Sequence, residues 1–191
     1  MKKMFAFSTK TIVAIGLGAA LFMVLFMYVK IPSGIPETSF QTAYGLGAFF
    51  AALFGPVAGG LIAFIGHALS DSIQYGSAWW SWIIASFVAC FLMGFSYPFL
   101  KVDEGLFSVK DALLFNLIQI GSNIVAWIVV APVLDILIYK EPVNLVFVQG
   151  ATAALLNSIS TGVIATLLLF AYAKSRPKKG SLFVEEKQVQ D

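Results

Sequence analysis

One stretch of the chain, FIGHALSDSIQYGSAWWSW, concentrates side chains that can form hydrogen bonds or stack on a flat ring. It contains the single histidine, His67, and an aspartate one helical turn later, Asp71, followed by Trp79, Trp80 and Trp82. A His–Asp pair at i, i+4 lies on one helix face, and indole rings offer apolar faces with a polar N–H. The stretch indicates a small-molecule site, unless the pair only ties helices together and the tryptophans form an interfacial belt.

A second polar stripe supports the same interpretation. Asn116, Gln119, Asn123 and Trp127 follow a spacing of i, i+3, i+7 and i+11, which is one face of a helix. Two helices that present polar stripes at a similar depth predict a pocket whose amides would orient a ligand. The alternative is that these amides only form hydrogen bonds between helices.

The composition shows which environment these stripes occupy. Hydrophobic residues make up 59 % of the 191 residues and charged residues 12 %, about half the share in soluble domains. The net charge of +2 gives no basis for nucleic-acid binding. The chain is therefore predicted to be an all-α, polytopic membrane protein in which buried polar groups face the bundle interior or a cavity.

Six apolar segments are long or apolar enough to be membrane helices in one bundle. The pair Gly55-Pro56 separates the second from the third, unless these form one kinked helix. A polar, proline-containing loop connects the first two, and another loop around 134–144 connects the last two. The helices are predicted over residues 10–29, 40–54, 56–74, 79–99, 111–133 and 146–173.

The basic residues predict the orientation. With both termini in the cytoplasm, ten of the twelve lysines and arginines lie inside, and only Lys30 and Lys140 lie outside. The expected organisation is a membrane domain over 1–175 and a cytoplasmic tail over 176–191. The polar stripes and the tryptophans then lie near the outer face.

Other classes of function find little support in the residues. His67 could meet Ser122, Ser158 or Ser160 in a hydrolase, but no G-x-S-x-G motif surrounds a serine. His67 and Asp71 supply at most two metal ligands, and Cys90 has no ligand neighbours. There is no Walker A motif and no internal repeat typical of secondary carriers. We expect no enzyme, no metal and no cofactor, with a stand-alone carrier as the next alternative class.

Small residues on the first helix mark a surface for close helix packing. Ala14 and Gly18 are spaced i, i+4, as are Gly16 and Ala20, and this spacing lets two helices approach closely. The partner could be another helix of this chain or another protein.

The segments IPSGIPETSFQ, FGPVAGGLIAFIGHALSD and YGSAWWSW, together with the six-helix plan, resemble the S components of energy-coupling factor (ECF) transporters, and within them the riboflavin-type family. The resemblance covers residues 8–173. It implies a bacterial membrane protein that binds a vitamin or related molecule outside the cell. It also implies a transmembrane coupling protein (EcfT-like) and two cytoplasmic ATPases as partners, whose ATP hydrolysis makes the S component topple and release its ligand inside.

The resemblance also implies where the site lies: in the outer parts of helices three to six and in the loop between helices one and two. In that loop Ile35 and Phe40 would act as a lid, and the small residues of the first helix, Ala14, Gly16, Gly18 and Ala20, would dock on the coupling protein. Aromatic residues would stack on the ligand's rings, and polar residues would form hydrogen bonds with its heteroatoms. His67 would orient Asp71. The expected binding residues are His67, Asp71, Gln74, Tyr75, Trp79, Trp80, Asn123, Trp127 and Gln149.

Riboflavin is the first candidate ligand of such a ring-rich pocket. A nucleoside, a pyrimidine precursor of thiamine, a pterin or methionine remain alternatives.

Overall fold

The computed structural model describes residues 8–177, and the expected tail falls outside them except for its first two residues. The described chain is mostly helical, as predicted. The 3₁₀ turns are Gly94–Ser96 and Val102–Glu104, and a π-helical segment, Val125–Val130, joins α5 to α6 without a break. The helices are α1 (Thr9–Tyr28), α2 (Ala43–Phe54), α3 (Pro56–Tyr75), α4 (Trp80–Met93), α5 (Val109–Ile124), α6 (Ala131–Tyr139) and α7 (Val143–Ser175).

Helix lengths agree with a membrane bundle. Four helical stretches in the described part are long and apolar enough to cross a bilayer: α1, α3, the continuous run Val109–Tyr139, and α7. The apolar helices Ala43–Phe54 and Trp80–Ser96 are shorter. At 1.5 Å per residue α2 is roughly 18 Å long, well short of the ~30 Å hydrocarbon layer.

Local sequence signals explain several helix ends. Gly55 has φ +92°, a conformation that favours glycine, and Pro56 occupies the first turn of α3. This geometry separates α2 from α3 and excludes one long kinked helix. Gly76 ends α3 in the left-handed conformation, and Ser108 with Asp111 forms a capping box at the start of α5.

The connection between α1 and α2 is more ordered than the predicted loop. Strands β1 (Lys30–Pro32) and β2 (Ser39–Gln41) pair antiparallel, with Ile31 opposite Phe40. The hairpin extends the short α2 at one end of the bundle. The start of α1 and the end of α7 lie at the other end, where Tyr172 of α7 donates a hydrogen bond to Asp103.

The predicted loop at 134–144 is wrong for its first half. The helix continues through Pro132 to Tyr139, and Lys140, in the left-handed conformation, ends it. Proline removes one backbone hydrogen bond of a regular helix, and the π-helical segment immediately before it takes up this irregularity. The added helical turns carry Asp135 into the bundle.

Candidate functional site

A cavity of about 660 Å³ opens at the hairpin end of the bundle. It lies between the hairpin, the end of α1, the first turn of α2, the end of α3, the start of α4, the π-helical segment with α6, and the first half of α7. Its size is in the range of small-molecule sites. Since α2 is short, no helix fills this end, and the hairpin covers it instead.

Aromatic rings form much of the wall. Trp82 and Trp127 stack with centroids 5.7 Å apart, and the Tyr44 ring meets Trp127 edge-on at 5.1 Å. Phe26 lies against the His67 ring at 4.2 Å. These contacts fix the rings before any ligand arrives, so this wall is preorganised.

Asp135 of α6 holds the tryptophan side of the cavity together. Its carboxylate accepts hydrogen bonds from the indole N–H of Trp79 at 2.7 Å, from the indole N–H of Trp82 at 2.8 Å, and from the Ser81 hydroxyl. It is 2 % exposed. Sequence reasoning missed this residue because it fell in a predicted loop, although a lone aspartate within the apolar run VLDILIY was a usable signal.

His67 and Asp71 form the predicted i, i+4 contact, with His67 Nε2 3.4 Å from an Asp71 carboxylate oxygen. Asp71 also accepts a hydrogen bond from the Trp79 backbone N–H at 3.1 Å. On its other side the His67 ring, through Nδ1, lies 2.7 Å from the Ser86 hydroxyl, which is 2.8 Å from the Tyr44 hydroxyl. One buried network therefore links α2, α3 and α4, and three of its members, Tyr44, His67 and Asp71, line the cavity.

The polar stripe of α5 supports the wall from behind. Asn123 accepts a hydrogen bond from the Trp127 indole N–H at 2.8 Å and donates to the Gln119 side chain at 2.9 Å. Gln119 donates to the Ser158 carbonyl of α7 at 3.1 Å. The amides thus join α5 to α7 and orient Trp127.

The structure brings seven of the predicted site and lid residues together. Gln149 additionally donates to the Pro36 carbonyl at 3.0 Å, which ties the hairpin to α7 across the cavity. The seven residues that line the cavity are Ile35, His67, Asp71, Tyr75, Trp79, Trp127 and Gln149.

Four predicted residues lie outside the cavity wall. Gln74 accepts a hydrogen bond from the Lys30 ammonium at 3.3 Å and donates to Ser70. The Trp80 ring turns to the outer surface beside Phe64, while Asn123 lies behind Trp127. Phe40 is half-buried on the hairpin.

Several lining residues were absent from the predicted set. The sequence could have identified two of them: Asn157 is a polar residue within an apolar helix, and Trp82 belongs to the tryptophan cluster. The other residues reach the cavity only because of how the hairpin and the helices pack, which the sequence does not indicate. The additional lining residues with rings or polar groups include Phe26, Lys30, Gln41, Tyr44, Trp82, Asp135, Glu141 and Asn157.

The small residues of α1 divide into two faces. Ala14 and Gly18 are buried, and a Cβ on Gly18 would lie 2.7 Å from the Ile62 side chain of α3. Gly16 and Ala20 are exposed, with open space around Gly16. Ala14 and Gly18 therefore pack within the chain, and Gly16 and Ala20 face outward.

The comparisons with known proteins agree with this architecture. The family described as "ECF-type riboflavin transporter, S component" matches residues 6–174. A UPF0397 protein of Clostridium perfringens is 51 % identical over 175 residues, 92 % of this chain and 95 % of its own length. A UPF0397 protein of an Exiguobacterium species is 52 % identical over 177 residues, 93 % of this chain and 97 % of its own length.

No solved structure matches the chain significantly. The family match extends over nearly all of the described helices, including every one that lines the cavity. Its members are non-enzymatic transporter subunits, and apolar helices of this number and length suit a bacterial membrane protein. The chain belongs to the family of S components of ECF-type riboflavin transporters.

Proposed function

We propose that the cavity captures a vitamin or related small molecule outside the cell, with riboflavin as the first candidate. What carries the proposal is the preformed cavity of about 660 Å³ between Trp79, Trp82, Trp127 and the hairpin. Its stacked and edge-on rings would bury a flat ring system, and its polar groups would orient heteroatoms.

The proposed orientation places the hairpin outside and both termini in the cytoplasm. Within residues 8–177, five basic residues lie at or near the end of the bundle where α1 begins and α7 ends: Lys10, Lys101, Lys110, Lys174 and Arg176. Only Lys30 and Lys140 lie at the cavity end. This asymmetry follows the positive-inside rule.

Riboflavin binding is expected to quench the tryptophan fluorescence of the full-length protein in lipid nanodiscs. Trp79→Leu should weaken the riboflavin Kd by about fivefold or more, since stacking on one aromatic ring contributes roughly 1 kcal/mol or more. Trp80→Leu is the matched control, because Trp80 does not line the cavity and its ring lies beside Phe64. Fluorescence titration measures the riboflavin Kd of both variants. Unchanged emission at saturating riboflavin would refute riboflavin and move the proposal to a nucleoside, a pyrimidine precursor of thiamine, a pterin or methionine.

We further propose that α1 docks on a transmembrane coupling protein that carries two ATPases. The stripe Ile12, Gly16, Ala20 and Val24 has four-residue spacing and faces outward, and its central small residues permit a close approach of another helix. Toppling of the loaded S component, driven by ATP hydrolysis in the partners, would then deliver the ligand inside.

Gly16→Leu is expected to abolish co-purification with the coupling protein and its ATPases while leaving the thermal stability of the isolated chain unchanged. Gly121→Leu makes the same substitution at another exposed helical glycine with open space around it, and it should leave the complex intact. Pull-down of the co-expressed components measures the difference. A Gly16→Leu chain that still recovers the complex in full would place the docking surface elsewhere.

A hydrolase is the alternative function, because Ser86, His67 and Asp71 lie in series: the Ser86 hydroxyl is 2.7 Å from His67 Nδ1, and His67 Nε2 is 3.4 Å from the Asp71 carboxylate. Ser86 is fully buried and does not line the cavity, and its hydroxyl is held by Tyr44 and by the Trp82 carbonyl. A nucleophile must reach its substrate. These contacts favour a structural network that supports a binding site.

A further inference from the structure

The charged groups around the cavity are mostly of one sign. Four carboxylates, from Glu37, Asp71, Asp135 and Glu141, line it together with one ammonium group, from Lys30. Asp71 and Asp135 are 4 % and 2 % exposed, and neither forms an ion pair with a lysine or arginine of residues 8–177. The Lys30 ammonium is engaged by Gln74 at 3.3 Å. A cleft lined by one sign of charge attracts opposite charges and repels like ones.

The indole N–H groups of the wall and the Gln149 amide are already engaged in hydrogen bonds. The indole N–H groups of Trp79 and Trp82 donate to Asp135, and that of Trp127 donates to Asn123. The Gln149 amide donates to the Pro36 carbonyl of the hairpin. None of these three indole N–H groups is therefore free to donate to a ligand.

Acceptors, in contrast, are left without donors. The side-chain oxygens of Gln41 and Asn157 are buried and have no hydrogen-bond partner among residues 8–177, and both residues line the cavity. Their side chains are 7 % and 3 % exposed. A buried polar atom without a partner costs about 1–3 kcal/mol, so a ligand that donates to these two oxygens recovers that cost. Asp71 has acceptor capacity beyond its contacts with Trp79 and His67.

Building on the proposed binding function, we infer that the cavity selects a ligand of zero or positive net charge. This ligand donates N–H or O–H groups to Gln41, Asn157 and Asp71. Aromatic faces add to the selection because their quadrupole attracts cations. The same arrangement rejects anions, because a phosphate ester would place negative charge among carboxylates.

The test uses full-length protein in lipid nanodiscs, immobilised and exposed to a defined mixture added to yeast extract. The mixture contains equal amounts of riboflavin and its 5′-phosphate, thiamine and its monophosphate, adenosine and its 5′-monophosphate, and pyridoxamine and its 5′-phosphate. Mass spectrometry quantifies what is retained relative to empty nanodiscs. We expect the retained compounds to be neutral or cationic, with each retained compound of a pair exceeding its phosphate ester at least tenfold.

The outcomes separate the two proposals. Retention of a phosphate ester as strongly as its parent, or of any other anion as the main compound, overturns the charge selection and leaves the binding function standing. Retention of nothing overturns both.

Two substitutions make the test specific to the carboxylates. Asp71→Asn and Glu141→Gln remove one negative charge each, deep in the cavity and near its opening, and should lower the ratio of parent to phosphate ester at least threefold. Glu104→Gln, at the opposite end of the bundle, should leave the ratio unchanged. Glu141 accepts no hydrogen bond within the described chain, so its substitution tests the charge even if Asp71→Asn impairs folding. An unchanged ratio in both folded variants overturns the inference.

Discussion

Gly150→Ala is expected to destabilise the protein by about 3 kcal/mol or more and to abolish ligand capture. A Cβ at position 150 of α7 would lie 2.1 Å from the Trp127 carbonyl oxygen and 3.0 Å from Pro132. The first of these is a backbone atom, which cannot rotate away as a side chain can. Overpacking of a tight site typically costs 1–3 kcal/mol and sometimes more.

The position of Gly150 explains why binding should be lost as well. Trp127 belongs to the π-helical segment, and Gln149, which holds the hairpin, directly precedes Gly150. If α7 moves outward to admit a methyl group, the Trp127 wall and the hairpin contact shift together. The glycine therefore sets the distance between two walls of the cavity.

Gly121→Ala is the matched control, since it adds the same methyl group to an exposed helical glycine with nothing within 4 Å. It should leave the protein as stable or raise its stability by up to about 1 kcal/mol, because alanine favours helices over glycine. Thermal unfolding in nanodiscs and the riboflavin titration compare Gly150→Ala with Gly121→Ala. Equal stability of both variants would contradict the close approach of α7 to the π-helical segment.

Asp135→Ala is expected to loosen the tryptophan side of the cavity and to weaken riboflavin binding at least tenfold. The substitution leaves the donors of Trp79, Ser81 and Trp82 without an acceptor. A hydrogen bond to a charged group contributes about 1.5–3 kcal/mol. Relief of the buried charge offsets part of this loss, so we expect a net decrease of roughly 2 kcal/mol in the free energy of unfolding.

Glu141→Ala serves as the stability control for this substitution. Glu141 also lines the cavity, but its carboxylate accepts no hydrogen bond within residues 8–177. Thermal unfolding should therefore change only for Asp135→Ala, and tryptophan emission should shift because two indoles lose their acceptor. Wild-type unfolding and emission in the Asp135→Ala protein would show that Asp135 does not hold the wall.

Composition and helical periodicity were sufficient to predict the membrane bundle. Long apolar segments have few alternatives to helices in a bilayer, because every backbone polar group must be satisfied within the segment. Gly55-Pro56 marked a break that the structure confirms, since the required φ favours glycine. The His67–Asp71 contact likewise followed from spacing on a single helix.

The cavity wall was less predictable because it depends on contacts between helices. Trp79 and Trp80 are neighbours in the sequence, yet only Trp79 reaches Asp135, and Trp80 turns to the surface. Asn123 has the same helical face as Trp127 but supports that ring from behind. Periodicity identifies a face, whereas the packing of the neighbouring helix decides which residue on it reaches the cavity.

The amino-acid sequence by itself determined the all-α membrane character, the six helical segments, the break at Gly55 and the polar pair on α3. These follow from local hydrophobicity and backbone conformation, which involve residues close together in the chain. Only the tertiary structure decided that Asp135 holds two tryptophans, that the hairpin covers the cavity, and that Gly16 faces outward while Gly18 packs on Ile62. Each of these depends on how separate helices approach one another, and no local pattern specifies that distance.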